Sequence, residues 1–138
     1  PLKSTSLMSF KEIAVGDHSF QGKEKPIRLK DLTENPLISL GQGSTTYEFY
    51  SKFFLENDLV LSPDTEVETI DQVLPLIMNG LGIGFLPELF VRPVIEEGKV
   101  CQIPLKENIP EREICLVENH TFPPSITAEM FKKMLVLK

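Results

Sequence analysis

Apolar runs of strand length alternate along this chain with stretches whose apolar positions recur every three or four residues. That alternation predicts α/β units around a mostly parallel sheet. Residues 11–17, KEIAVGD, read as a strand closed by a Gly-Asp turn, followed by a polar, lysine-rich loop and a helical turn around 29–32. Asn35-Pro36 ends that turn, because the residue before a proline is pushed out of the helical region, and a strand opens over 36–40. GQGST then leads into a helix at about 46–57, with Tyr47, Tyr50, Phe53 and Phe54 on one face, a spacing that reads as core.

The pattern repeats. A third strand is expected near 65–68, after the Ser62-Pro63-Asp64 turn. Ile70, Val73, Leu74, Ile77 and Met78 form the buried stripe of a helix over 70–79, which Pro75 should kink and Gly80 should cap. LGIGFLP, 81–87, reads as a buried strand, a short helix near 88–97 ends at Gly98, and VCQIPL and REICLVE read as two further strands. The last helix starts after Pro123-Pro124, with Ser125 as N-cap and Ile126, Met130, Phe131 and Met134 turned inward.

The length of 138 residues suits one compact domain or two small lobes, and 41% hydrophobic with 25% charged residues is ordinary for a globular chain. A net charge of −6 without a basic cluster excludes duplex DNA binding by these residues alone. No apolar run is long enough to span a membrane, and the start lacks the layout of a signal peptide. Cys101 and Cys115 lie in apolar runs and are expected to be buried, reduced thiols, which suits a cytoplasmic location.

The strongest chemical signal is the strand–GQGST–helix connection. Gly41 and Gly43 free the backbone to turn its amides towards one point, and Thr45-x-x-Glu48 has the form of a capping box. Free N–H groups, the helix dipole and the hydroxyls of Ser44 and Thr45 would together suit a carboxylate, sulfate or phosphate; an ordinary capped turn is the plainer reading. A phosphate-binding P-loop would need a lysine that is absent. A second capping box, Thr69-x-x-Gln72, would place another helix start at the carboxyl end of a neighbouring strand, where open α/β sheets bind ligands. Gly80-Leu81-Gly82-Ile83-Gly84 resembles a dinucleotide fingerprint but follows a helix and opens a strand, so it reads as a tight turn with close packing. His18 and His120 lie in polar turns without ligand spacing, and no acidic residue has an evident base or nucleophile beside it. Neither a catalytic set, a metal site nor a cofactor is expected.

Several of these segments together resemble the effector-binding domain of LysR-type transcription regulators. EIAVGDHSF is similar to the family's strand followed by Asp-His-Pro-Leu, with Ser19 where the family has proline. LKDLTENPLISLGQGST resembles its leucine-containing turn, strand and Ser/Thr helix start, and EVETIDQVLPLIMNGLGIGFLPE its helix, Gly-x-Gly-Ile and Leu-Pro. The likeness runs from about Glu12 to Leu135. It implies a periplasmic-binding-protein-like type II fold, in which two α/β lobes joined by crossing strands close on a small effector. Residues 18–103 would form the second lobe; 1–17 and 111–138 would supply crossing strands and part of the first lobe, including its terminal helix. The family's DNA-binding domain and the opening part of the first lobe have no counterpart here, as in a fragment of a longer regulator. By position, Ser44, Thr45 and Thr69 would meet an anionic effector, Gln42 and Gly43 adjoin them, and Leu86-Pro87 would form a pocket wall. A homodimer through this domain is implied as well, with DNA contacted only by a domain outside this chain and with no membrane partner. A transport-linked solute-binding lobe and an enzyme on a doubly wound fold are the competing readings.

Overall fold

A computed structural model describes residues 1–136. In chain order the strands are β1 (Leu2–Phe10), β2 (Glu12–Gly16), β3 (Leu37–Leu40), β4 (Thr65–Val67), β5 (Ile83–Pro87), β6 (Cys101–Ile103) and β7 (Arg112–Asn119). The α-helices are α1 (Leu29–Leu32), α2 (Thr45–Glu56), α3 (Val73–Met78), α4 (Glu88–Glu96) and α5 (Ile126–Val136). They fall into two compact units, one from Lys11 to Pro110 and one joining Pro1–Phe10 to the residues from Glu111 onward.

The larger unit is built on one five-stranded sheet in the order β4-β3-β5-β2-β6. The sheet is mixed: β3 runs parallel to β4 and β5, whereas β2 is antiparallel to β5 and β6. Both faces are covered, which is why its strands read as nearly continuous apolar runs. Along β2, Ala14 packs on one face with Leu29 and Leu32 of α1 and Tyr50, Phe53 and Phe54 of α2. Its neighbours Ile13 and Val15 pack on the other face with Val73 and Ile77 of α3 and Val91 of α4. The aromatic face expected of the helix after GQGST is therefore core, with Tyr47 packed partly buried at its edge.

The helix expected over 70–79 is divided. Ile70–Gln72 form a single 3-10 turn, and only Val73–Met78 are α-helical. Pro75 lies in the first turn of α3, where a missing N–H leaves no intrahelical bond unmade, so the chain accommodates proline by restarting the helix instead of bending it. Gly80 follows the C-cap with φ +75°, donating to Ile77 O at 3.0 Å while Leu81 N donates to Leu76 O at 3.1 Å. The glycines after it serve packing, in line with their order around the strand. A Cβ on Gly82 would stand 2.5 Å from Pro36 O, and one on Gly84 would stand 2.7 Å from Val73 Cγ1.

Ser19, at the position where the resembled family has proline, holds a turn. Asp17 caps the 3-10 turn His18–Phe20 by accepting from Ser19 N at 3.0 Å and from Ser19 Oγ at 2.6 Å. These two bonds hold the Asp17 carboxyl below its ordinary value of 3.8, the hydroxyl first and the amide second, with a smaller contribution from His18. A depressed folded pKa stabilises the protein above the unfolded value, and that contribution disappears as pH falls through the folded one. Ser19→Ala is thus expected to lower the melting temperature at pH 7 and to lose that effect progressively as the pH is taken below 3.8. An equal difference at pH 7 and pH 2 would show that the carboxylate is not its source.

In the smaller unit β1 and β7 form a two-stranded antiparallel ribbon, from Leu2 opposite Asn119 to Phe10 opposite Arg112. A register shift between Ser6 and Met8 breaks the alternation of β1, and the Ser- and Thr-rich stretch carries no strand pattern in the sequence. Ser125 caps α5 by accepting from Ala128 N at 3.1 Å, as expected. The expected inward face of α5 is not buried: Ile126, Met130, Phe131 and Met134 are 82%, 62%, 58% and 68% exposed. A two-stranded ribbon offers too little surface to cover them. Lys132 Nζ lies 2.8 Å from Glu118 Oε1 across β7 and α5, which lowers the Glu118 carboxyl and raises the Lys132 ammonium relative to their usual values. The expectation of two buried thiols is overturned in both units. Cys115 is exposed on β7 and Cys101 is half-buried on the edge strand β6, both unbridged.

Candidate functional site

The carboxyl ends of β3 and β4 carry the two turns singled out from the sequence. Gly41 leaves β3 with its N–H bonded to Val67 O at 3.2 Å, which fixes the turn to the end of β4. Gly43, at φ +94°, then reverses the chain into α2. The N-cap of α2 is Ser44, not Thr45. Ser44 Oγ accepts from Tyr47 N at 3.0 Å and donates to Gly41 O at 3.0 Å. Thr45 becomes the first helical residue and is exposed, so the Thr45–Glu48 capping box does not form. The cap moves by one because Gly43 turns the chain early enough for Ser44 to take the extended conformation that a capping residue needs, φ −84° and ψ 148°.

This changes what Ser44 can do. Its hydroxyl proton is committed to the Gly41 carbonyl, so its first role is to hold the turn and not to donate to a ligand. Ser44→Ala is expected to cost about 1 kcal/mol of stability, the usual value of a lost N-cap. A urea midpoint indistinguishable from that of the unaltered chain would contradict the capping role.

Thr69 is the N-cap residue of the 3-10 turn that precedes α3, and Gln72 closes its capping box by accepting from Thr69 N at 3.1 Å and Glu68 N at 3.0 Å. The two helix starts converge. A small cavity of about 20 Å³ lies between them, lined by Ser39 and Leu40 of β3, Thr46 and Tyr50 of α2, Ile70 and Val73, and Phe85 of β5. Thr45 and Thr69 each immediately precede a lining residue and are exposed. Gln42 and Gly43 are exposed at the tip of the turn. Leu86 is fully buried among Ile13, Val15 and Val91, and Pro87 is the half-buried N-cap residue of α4; neither lines this cavity. Ser39 and Thr46 were not anticipated. Ser39 sits inside an apolar strand and Thr46 one step beyond the apparent cap, so only the crossing of β3 by α2 reveals them.

The charges around this edge are one-sided. Glu48 lies in the first turn of α2, and a methyl group on Gly41 would lie 3.4 Å from Glu66 Oε2. From Asp31 to Val91 the sequence contains a single basic residue, Lys52, whose ammonium lies 3.9 Å from Glu56. Any attraction for an anion at this edge therefore has to come from backbone amides and helix dipoles, not from a cationic side chain of these segments.

A mixed sheet covered on both faces, with two helix starts meeting at the carboxyl ends of adjacent strands, is the arrangement in which open α/β sheets bind ligands. The chain belongs to the LysR substrate binding domain family, whose sequence profile it matches over residues 2–136. An uncharacterized HTH-type transcriptional regulator of Bacillus subtilis, YwqM, is 29% identical over 100 residues, covering 72% of this chain and 33% of the relative. The chain thus spans about a third of that regulator's length. Among solved structures, the regulatory domain of Synechocystis CcmR in complex with 2-PG matches with a TM-score of 0.86 at 14% identity, over 99% of this chain and 66% of that one. The effector binding domain of QuiR in complex with shikimate matches with a TM-score of 0.82 at 18% identity, over 99% and 64%. At these identities the likeness is one of fold, the periplasmic-binding-protein-like type II fold of LysR regulatory domains.

Proposed function

We propose that these residues sense a small anionic effector for a LysR-type transcription regulator, in which DNA is contacted by a part of the protein outside this chain. The observation that carries this reading is the convergence of α2 and the Thr69 turn on one cavity at the sheet's carboxyl edge, in a chain of this family. Thr45, Thr69 and the amides following Gly43 supply the donors, Gln42 flanks them, and Ser44 shapes the turn. Residues 18–103 act as the second lobe, while 1–17 and 111–138 supply crossing strands and part of the first. The open apolar face of α5 is the side on which the remainder of that lobe would pack. The regulator works in the cytoplasm as a homodimer through this domain, each contact made twice, and it is not an enzyme. Among the described residues no helix is long and apolar enough to cross a membrane.

Shikimate and 2-PG, bound by two solved domains of this fold, are the first probes. A hydrogen bond to a charged group contributes about 1.5–3 kcal/mol, so Thr45→Val and Thr69→Val in the intact regulator should each weaken calorimetric binding of a responding acid by about ten- to a hundredfold. Melting temperatures measured alongside separate lost capping from lost contact. Unchanged affinity in both variants would remove the effector from this edge of the sheet.

A further inference from the structure

The cavity between the two helix starts is walled in part by polar side chains. Ser39, half-buried near the end of β3, and Thr46, half-buried in the first turn of α2, both line it. Their frame is apolar: Ile70, Val73 and Phe85, the last stacked on Tyr50 with ring centroids 4.6 Å apart. A cavity needs about 10–15 Å³ to hold one water-sized group, and this one has about 20 Å³. That is room for about one oxygen-sized substituent. Ser39 Oγ donates its proton to Leu40 O at 2.9 Å, so what Ser39 offers the cavity is lone pairs. A small guest that donates would satisfy that oxygen. A methyl group would fit by size but would press that oxygen against hydrocarbon at a cost; a carbonyl would oppose acceptor to acceptor at Ser39.

We propose that Ser39 and Thr46 read a hydroxyl group of the effector, so that this lobe takes a small hydroxycarboxylate in preference to its deoxy counterpart. The carboxylate meets the amides at the start of α2, and the adjacent hydroxyl enters the cavity and donates to Ser39 Oγ. This deepens the proposed sensing function and rests on it, since it places the effector at the same edge of β3.

The test is a titration of the ¹⁵N-labelled 138-residue chain with glycolate against acetate and with L-lactate against propionate, following the amides of residues 41–46 and 69–70. Each hydroxy acid should bind about five- to tenfold more tightly than its deoxy partner, the usual worth of one neutral hydrogen bond. Ser39→Ala and Thr46→Val should each erase that preference while leaving acetate affinity within about twofold, and Thr46→Ser should keep it. Variants whose melting temperature stays within about 4 °C of the parent isolate the contact from the fold. Equal binding of glycolate and acetate, or a preference that survives both substitutions, overturns the hydroxyl assignment and leaves the site standing. No shift at residues 41–46 with any of the four acids overturns the site, and the hydroxyl assignment falls with it.

Discussion

Replacing Gly84 with valine should destabilise the larger unit more than any surface change, by more than about 3 kcal/mol and enough to leave a marginal domain substantially unfolded. Gly84 is buried in β5 directly beneath α3. Its added Cβ alone would stand 2.7 Å from Val73 Cγ1 and 3.0 Å from Ile77 Cδ1, and both of those side chains are themselves buried against the sheet. Neither can yield without moving the helix. Alanine should therefore already cost about 1–3 kcal/mol, and the two further methyl groups of valine add overlap that no rotamer relieves. The consequence reaches the site, because Val73 of α3 lines the cavity, and a displaced α3 would carry it away from Thr46. Gly43→Ala is the control: nothing lies within 4 Å of its Cβ, and only the positive φ of 94° opposes it, a strain of about 1–2 kcal/mol. Urea unfolding should rank valine at Gly84 far below alanine at Gly43. A Gly84→Val midpoint equal to the parent's would mean that α3 does not press on β5.

The sequence revealed the larger unit well because its elements are local and doubly buried. Gly80, Gly82 and Gly84 could be separated from a dinucleotide fingerprint on order alone, since they follow a helix. In the structure Gly80 caps α3, Gly82 clears the Pro36 carbonyl and Gly84 seats α3 on the sheet. What failed was anything decided by distant parts of the chain. Cys115 looked buried because its run is apolar, but burial in β7 depends on what lies beside the ribbon, and among the described residues only β1 pairs with it. Met130 and Phe131 failed for the same reason: helical periodicity shows which face is apolar, not whether anything covers it. In the candidate site the turn and Thr69 were legible as caps. The exchange of Thr45 for Ser44 was not, because it hangs on where Gly43 turns the backbone. Ser39 and Thr46 were hidden because neither stands in a motif, and a cavity is a property of two elements crossing.

Phe54→Ala and Phe131→Ala, similar by sequence, should differ by several kcal/mol. Both phenylalanines sit at apolar positions of amphipathic helices, and periodicity alone would place both in a core. Phe54 is fully buried in α2, edge-on to Phe53 at 6.3 Å and to Phe85 at 6.1 Å. Truncation there removes the transfer free energy of a whole ring and opens a cavity beneath α2, an expected loss of about 3–5 kcal/mol. Phe131 is 58% exposed on α5, so truncation removes little buried area and leaves no cavity, for an expected change below about 1 kcal/mol. The chain supplies its own probe for the first measurement. It has no tryptophan, and its two tyrosines, Tyr47 and Tyr50, both lie on α2, so intrinsic fluorescence reports the larger unit alone. Urea titration by tyrosine fluorescence should show the Phe54→Ala midpoint falling sharply, and far-UV circular dichroism should show Phe131→Ala close to the parent. A Phe131→Ala loss as large as that of Phe54→Ala would mean that the apolar face of α5 is covered in solution. Self-association of the chain would then be the first thing to measure by sedimentation, because a second copy is the one partner present in such a sample.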